Sequence, residues 1–205
     1  MIRNLLGFSG LYALFGKIIS RNKADFFYNH EAGIKVLDVG CGPASRTHYF
    51  LDTDYIGIDI SQEYIETATT KYQNHDNIKF FCADASIFLD PDNGLLQTFD
   101  LIFMCGVLHH LDDETASNVL SSISKLLSYN GEFRSIDGVY IDNQSRFAKW
   151  MLNNDRGKFV RSVYEYETLI CSNFHENTYD IRHDLLRVPY THIIFSSKIG
   201  ISQLD

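Results

Sequence analysis

Apolar runs of strand length alternate along this chain with stretches whose apolar positions recur at helical spacing. That rhythm predicts a mostly parallel sheet with helices on both faces. The apolar runs lie at 35–39, 55–59, 78–82, 99–104, 131–137, near 178–182 and at 192–196, so seven strands are expected. A first helix is expected from about Ala44. A second follows Ser61, whose hydroxyl can cap it, with Ile65, Ala68 and Tyr72 as its buried stripe. A third is predicted over 113–128, introduced by Asp112 and ended by the Tyr-Asn-Gly turn at Gly131. A fourth begins where Ser162 and Glu165 have capping-box spacing.

Ahead of this pattern stands MIRNLLGFSGLYALFGKIIS, bracketed by Arg3, Lys17 and Arg21. The run is too short to cross a bilayer, and no small-residue cleavage pattern follows it, so no membrane span is expected. Leu11, Leu14, Phe15 and Ile18 form one stripe, which predicts an amphipathic helix. Tyr12, Phe15, Phe26 and Phe27 could make it a lid over a ligand, or simply dock it on the sheet. With no repeat and no Pro/Ser-rich linker, 205 residues read as a single domain: a helical lid over 1–33, a half over 34–140 that carries the glycine turn, and a second half over 141–205.

Charge narrows the function. Eighteen basic against 26 acidic residues give a formal charge of −8, the wrong sign for affinity built on phosphate backbones, so no nucleic-acid partner is expected. The four cysteines, Cys41, Cys82, Cys105 and Cys171, are widely spaced with no zinc pattern. They read as reduced thiols of a cytoplasmic protein, and no metal site is expected.

The candidate chemistry begins at VLDVGCG, where an apolar strand carries Asp38 and then breaks at Gly40 and Gly42. In a parallel sheet ligands sit beyond the carboxyl ends of the strands, and glycines there let the backbone approach one closely. A helix following such a turn would add free N–H groups and a positive dipole end. The second strand ends at Asp59, where a carboxylate can accept from both hydroxyls of a ribose. The third ends at Asp84, beside the base such a ribose would carry. Each acid alone could be a loop cap; three at the ends of three successive strands favour a cofactor site. A dinucleotide fingerprint fits less well, because its third glycine falls on Ser45 and it has little use for Asp38.

The whole set, VLDVGCG, GIDIS, CADA and FDLIFMCGVLHHLDD, resembles the class I S-adenosylmethionine (AdoMet) dependent methyltransferases over 36–113. DRGKFVR and LLRVPYTHIIF extend the likeness to an uncharacterised bacterial small-molecule branch of that family. The resemblance implies a doubly wound, Rossmann-like α/β fold and AdoMet as cofactor, with S-adenosylhomocysteine (AdoHcy) as product. It assigns the backbone of Gly40, Cys41 and Gly42 to the methionine part of the cofactor, Asp38 to its amino end and Asp59 to its ribose. Asp84 and the Ala85 N–H would meet adenine, with Ile60 on the ring face. Cys105 and Gly106 would line the methionine side, and Tyr12 of the lid would close over the cofactor. The family's third glycine is here Ala44.

The implied reaction is in-line methyl transfer to a small-molecule acceptor. The alternatives are an AdoMet-binding regulator or partner subunit without chemistry, and then a nicotinamide dehydrogenase. An acceptor hydroxyl or ammonium must lose a proton, and histidine suits that task near neutral pH. His109 and His110 stand in the loop after the fourth strand. The family's loop favours His110 as the catalytic residue, while either ring could instead be core packing. On the acceptor side Arg156, Arg161 and Arg187, with the Tyr190 hydroxyl, could hold an anionic acceptor. The structural alternative pairs these arginines with Asp155 and Asp184. Acceptor identity and oligomeric state are not readable.

Overall fold

The computed structural model describes residues 25–89 and 97–200. Residues 1–24 of the predicted N-terminal lid, Tyr12 among them, lie outside the described residues. Eight strands form one sheet: β1 (Lys35–Val39), β2 (Asp54–Asp59), β3 (Ile78–Cys82), β4 (Phe99–Cys105), β5 (Leu127–Tyr140), β6 (Arg161–Ser162), β7 (Glu176–Arg182) and β8 (His192–Lys198). Their order is β3-β2-β1-β4-β5-β8-β7, and the two-residue β6, not foreseen, pairs off the path with β5. β1 to β5 pair in parallel; β8 runs antiparallel to both β5 and β7. The order reverses at β1, which has β2 on one side and β4 on the other. A ligand crevice is therefore expected beyond the carboxyl ends of β1 and β4.

The central strands are buried on both faces, as parallel strands covered by helices must be. On one face Leu37, Val39, Ile102 and Met104 pack with Leu120 and Ile123 of the helix Asp113–Leu126 (α3) and with Tyr166 and Ile170 of Val163–Cys171 (α5). On the other, Val36, Leu101 and Phe103 pack with Phe27, Tyr28 and Phe50, and with Ala68 of the helix Gln62–Lys71 (α1). Alternation along β1 puts Asp38 on this second, aromatic face. Phe27 is buried edge-on against Phe103, ring centroids 6.1 Å apart, and so docks on the sheet.

Caps form as their residue types demand. The Ser61 and Asp112 side chains accept from the N–H groups of Tyr64 and Thr115, and Ser162 with Glu165 makes a reciprocal capping box. The helix expected from Ala44 is absent. Residues 40–53 hold only one 3-10 turn, Thr47–Tyr49. Ala44 is left-handed at φ 56°, and Thr47 and Phe50 turn inward, Thr47 bonding the Tyr55 hydroxyl and Phe50 stacking on Phe103. Side-chain anchoring of poor helix formers prevails over helix extension here, so the turn has no helix dipole behind it. The third helix stops at Leu126, and β5 starts at once. Its ladder slips between Phe99↔Leu127 and Leu101↔Glu132, so the Tyr-Asn-Gly segment is a bulge within a strand rather than a turn before one. An unforeseen helix, Arg146–Asn153 (α4), is capped by Ser145 and buries Ala148 and Leu152 at i, i+4 spacing.

Candidate functional site

The glycine turn is built from β1 outward. Gly40 and Cys41 both donate to the Ile58 carbonyl, at 2.8 and 2.9 Å, which ties the turn to β2. The Asp59 carboxylate then divides its oxygens, Oδ2 accepting from the Gly42 N–H and Oδ1 from the Ser61 N–H, both at 2.9 Å. Asp59 thus organises the turn as well as presenting negative charge beside it. Asp84 caps the short helix Ala85–Phe88 (α2), its Oδ1 accepting from the Ser86 N–H and hydroxyl. That leaves Oδ2, and the Ala85 N–H of the first helical residue, for a ligand. Ile60 is 73% exposed between these two acids, the state of an apolar side chain waiting for a flat partner. Cys105 and Gly106 follow at the end of β4, Gly106 left-handed at φ 72°. Cys41 is buried and its thiol is pushed far up by burial, so it lines the turn as a small neutral group.

Asp38 is fully buried, with one oxygen accepting from the Tyr55 hydroxyl at 2.7 Å and the other, Oδ1, without a hydrogen-bond partner among the described residues. Burial raises its carboxyl to about 6, against the opposing pull of the Arg46 charge and the Tyr55 hydrogen bond. Sequence reading missed Arg46, which has no motif. An unfolded carboxyl releases its proton near 4, so this group's stabilisation is complete below about pH 4 and is lost as pH rises through about 6. An ammonium placed at Oδ1 would favour the ionised form. We therefore expect AdoHcy affinity to rise about tenfold per unit as pH climbs toward 6 and then level off. Calorimetry on the parent and Asp38→Asn checks this: the variant should show a flat profile between pH 5 and 7.

The two glycines of the turn do different work. Both are left-handed, Gly40 at φ 78° and Gly42 at φ 55°. A β-carbon on Gly40 would overlap Val107 in the loop after β4, whereas one on Gly42 meets no atom within 4 Å. Sequence reading places the cost of Gly40→Ala at the ligand; the geometry places it in the fold. Gly42→Ala carries the cleaner test. It should lower AdoHcy affinity at least tenfold while the melting temperature falls by only a few degrees, as calorimetry and thermal melts can show.

Beyond β4 the chain makes a 3-10 turn, Leu108–His110, in which one of two adjacent histidines is buried and the other exposed. His109 is buried, its Nδ1 2.7 Å from Asp137 Oδ1 and its Nε2 3.7 Å from Asp155 Oδ1. Burial lowers its pKa, but the Asp137 bond and the two carboxylate charges outweigh that and raise it overall. His110 is exposed, its ring centroid 4.4 Å from that of His109, and its pKa is lowered by partial burial and then by its neighbour. The Asp137 pairing of His109 is a site feature that sequence reading missed.

The predicted anion cluster does not assemble. Arg161 is buried with every N–H of its guanidinium taken: Nε and Nη2 donate to Asp113, Nη1 to the Leu108 and Phe159 carbonyls, and Nη2 also to that of Leu111. It pins the histidine loop and has no donor left for a substrate. Its partner is Asp113, neither of the acids expected. Asp184 pairs with Arg182, while Arg187 and Arg156 are exposed. The Tyr190 hydroxyl donates to Asp155.

Residues 36–131 match the model of a family described as a methyltransferase domain. An uncharacterized methyltransferase of Schizosaccharomyces pombe is 33% identical over 97 residues, 42% of this chain and 34% of that protein. Phosphoethanolamine N-methyltransferase 3 of Arabidopsis thaliana is 34% identical over 90 residues, 42% of this chain and 18% of that protein. The chain thus spans about a third of the first relative and under a fifth of the second. Among solved structures, a SAM-dependent methyltransferase from Methanosarcina mazei superposes with a TM-score of 0.66 at 15% identity, covering 88% of this chain and 99% of that one. A TehB-like SAM-dependent methyltransferase from Corynebacterium glutamicum gives 0.63 at 15%, covering 97% and 100%. Residues 36–131 are thus similar to a methyltransferase domain, and the fold is the one these solved S-adenosylmethionine-dependent methyltransferases share. The residues present suit that cofactor. Among the described residues Asp38 Oδ1 is a buried acceptor with no donor, which an ammonium could supply, Gly42 leaves space at the turn, and Ile60, next to Asp59, is exposed.

Proposed function

We propose that this protein transfers a methyl group from AdoMet to a small-molecule acceptor by in-line displacement. The observation that carries the reading is the set of three acids, Asp38, Asp59 and Asp84, at the ends of three neighbouring parallel strands around an open Gly42. The bound cofactor supplies an activated methyl group on a sulfonium. The protein's part is to align the acceptor and keep water out. Asp38 and the Gly40–Gly42 backbone would hold the methionine end, Asp59 the ribose, and Asp84, Ala85 and Ile60 the adenine, while Cys105 and Gly106 would line the methionine side. Tyr12, outside the described residues, closes the site in this reading. His110, exposed and with a lowered pKa, is neutral at physiological pH and able to take a proton at its ring nitrogen.

The acceptor side is drawn from the 141–205 half of a single domain, through Asp155, Gly157 and Tyr190. A small-molecule acceptor accords with the Arabidopsis relative, whose name gives phosphoethanolamine as its substrate. Among the described residues no helix is long and apolar enough to cross a membrane. Conversion of AdoMet to AdoHcy that depends on an added acceptor tests the reading. Tight AdoMet binding with no conversion across a broad metabolite panel would instead favour an inactive cofactor-binding subunit.

A further inference from the structure

A buried polar cluster stands beside the histidine loop, and four segments build it. His109 comes from the loop after β4, Asp137 from β5, Asp155 from the segment after α4, and Tyr190 with His192 from the start of β8. Asp137 Oδ1 accepts from both the His109 backbone N–H, at 3.2 Å, and its ring. Tyr190 donates to Asp155 Oδ2 and lies 4.7 Å, centroid to centroid, from His192. Two glycines clear the ground: a β-carbon on Gly157 would overlap the His109 ring, and one on Gly138 would overlap the Tyr190 hydroxyl. The cluster adjoins the cofactor side, since a β-carbon on Gly106 would lie 3.6 Å from His109 Cε1.

Two features point to a ligand. Asp137 is 2% exposed, yet among the described residues its Oδ2 has no hydrogen-bond partner, and the buried His192 Nδ1 has none either. A buried carboxylate oxygen without a donor costs free energy, and native proteins seldom leave one unmet without a purpose. The second feature is charge. Asp137 and Asp155 leave the cluster acidic even with His109 protonated, and the nearby buried cation, Arg161, is spent on Asp113 and loop carbonyls. Arg156 projects from the surface next to His110, and His183 meets the Thr191 hydroxyl at its edge. Asp155, whose side chain is 25% exposed, is the carboxylate of the cluster that faces solvent.

We propose that this cluster recognises the methyl acceptor and that the acceptor is an amine, bound as its ammonium by Asp137 Oδ2 and Asp155; its nitrogen gives up that proton, to His110 in the reading above, before its lone pair displaces the sulfonium methyl and AdoHcy leaves. An ammonium supplies several strong donors and a positive charge opposite the two carboxylates, whereas a carboxylate or phosphate would face two acids. The inference rests on the methyltransferase reading, because only that reading makes the Gly106 side the place where an acceptor must lie.

The test uses the full chain saturated with AdoHcy, titrated calorimetrically at constant ionic strength with three matched probes: ethanolamine, ethylene glycol and glycolate. Ethanolamine should bind at least tenfold more tightly than the glycol, and glycolate should not bind. Asp155→Asn should weaken ethanolamine about tenfold while AdoHcy affinity stays within twofold of the parent. Asp137→Asn should do the same if it folds; Asp155→Asn carries the test if it does not. Binding of glycolate, equal binding of amine and glycol, no amine binding, or an amine affinity unchanged by Asp155→Asn would each overturn the proposal. Failure of AdoHcy itself to bind would mark failure of the underlying function instead.

Discussion

Replacing Asp59 by alanine is expected to weaken AdoHcy binding by about 1.5–3 kcal/mol, roughly ten- to 150-fold, the scale of hydrogen bonds to a charged group. Two losses combine. The ribose hydroxyls lose their acceptor, and the Gly42 and Ser61 N–H groups, each held at 2.9 Å by this carboxylate, are released. The turn that should meet the methionine end then loses its tie to β2 on that side. Calorimetry measures the affinity, and a circular dichroism spectrum like the parent's would establish that the sheet persists. An unchanged affinity in a folded variant would remove Asp59 from the cofactor site.

Gly157→Ala is the second large effect, and it acts on the other side of the crevice. The added β-carbon would overlap His109 Cδ2 and come within 2.7 Å of both Cγ and the His109 carbonyl oxygen. No rotamer relieves it, because one neighbour is backbone and the ring is clamped by Asp137. The segment must therefore lift, breaking the 2.9 Å bond from the Phe159 N–H to the His109 carbonyl. Overpacking of this kind costs about 1–3 kcal/mol, which for a chain of this size lowers the melting temperature by roughly 3–10 °C. AdoHcy affinity should stay within about threefold, since none of the cofactor contacts is touched. Thermal melts and calorimetry on the same sample separate the two effects.

The parts of this protein legible in its sequence share a physical property: they are local. β1, a central strand, and β3, at the sheet edge, fall on the predicted residues because each is a short apolar-rich run bounded by turns. The Ser162–Glu165 box is legible because its two halves are three residues apart. The set Asp38, Asp59 and Asp84 is legible because its members stand at the ends of successive strands. What was not legible depended on partners distant in the chain. Arg161 reads as an anion binder until Asp113, 48 residues away, and the loop carbonyls take its donors. His109 and His110 are adjacent and chemically identical; only the 3-10 turn and Asp137, 28 residues on, make one buried and paired and the other exposed. The missing helix after Ala44 has the same origin, since Thr47 and Phe50 answer to Tyr55 and Phe103 rather than to helix propensity.

The central claim is that the crevice at the ends of β1, β2 and β3 is an AdoMet site. Calorimetric titration of the full chain with AdoHcy, with NAD+ as the control ligand, tests it most directly. The predicted result is one-to-one binding of AdoHcy, at least tenfold weaker in both Asp59→Ala and Gly42→Ala, and no heat from NAD+. Binding of NAD+ without AdoHcy, or AdoHcy binding indifferent to both substitutions, would contradict it.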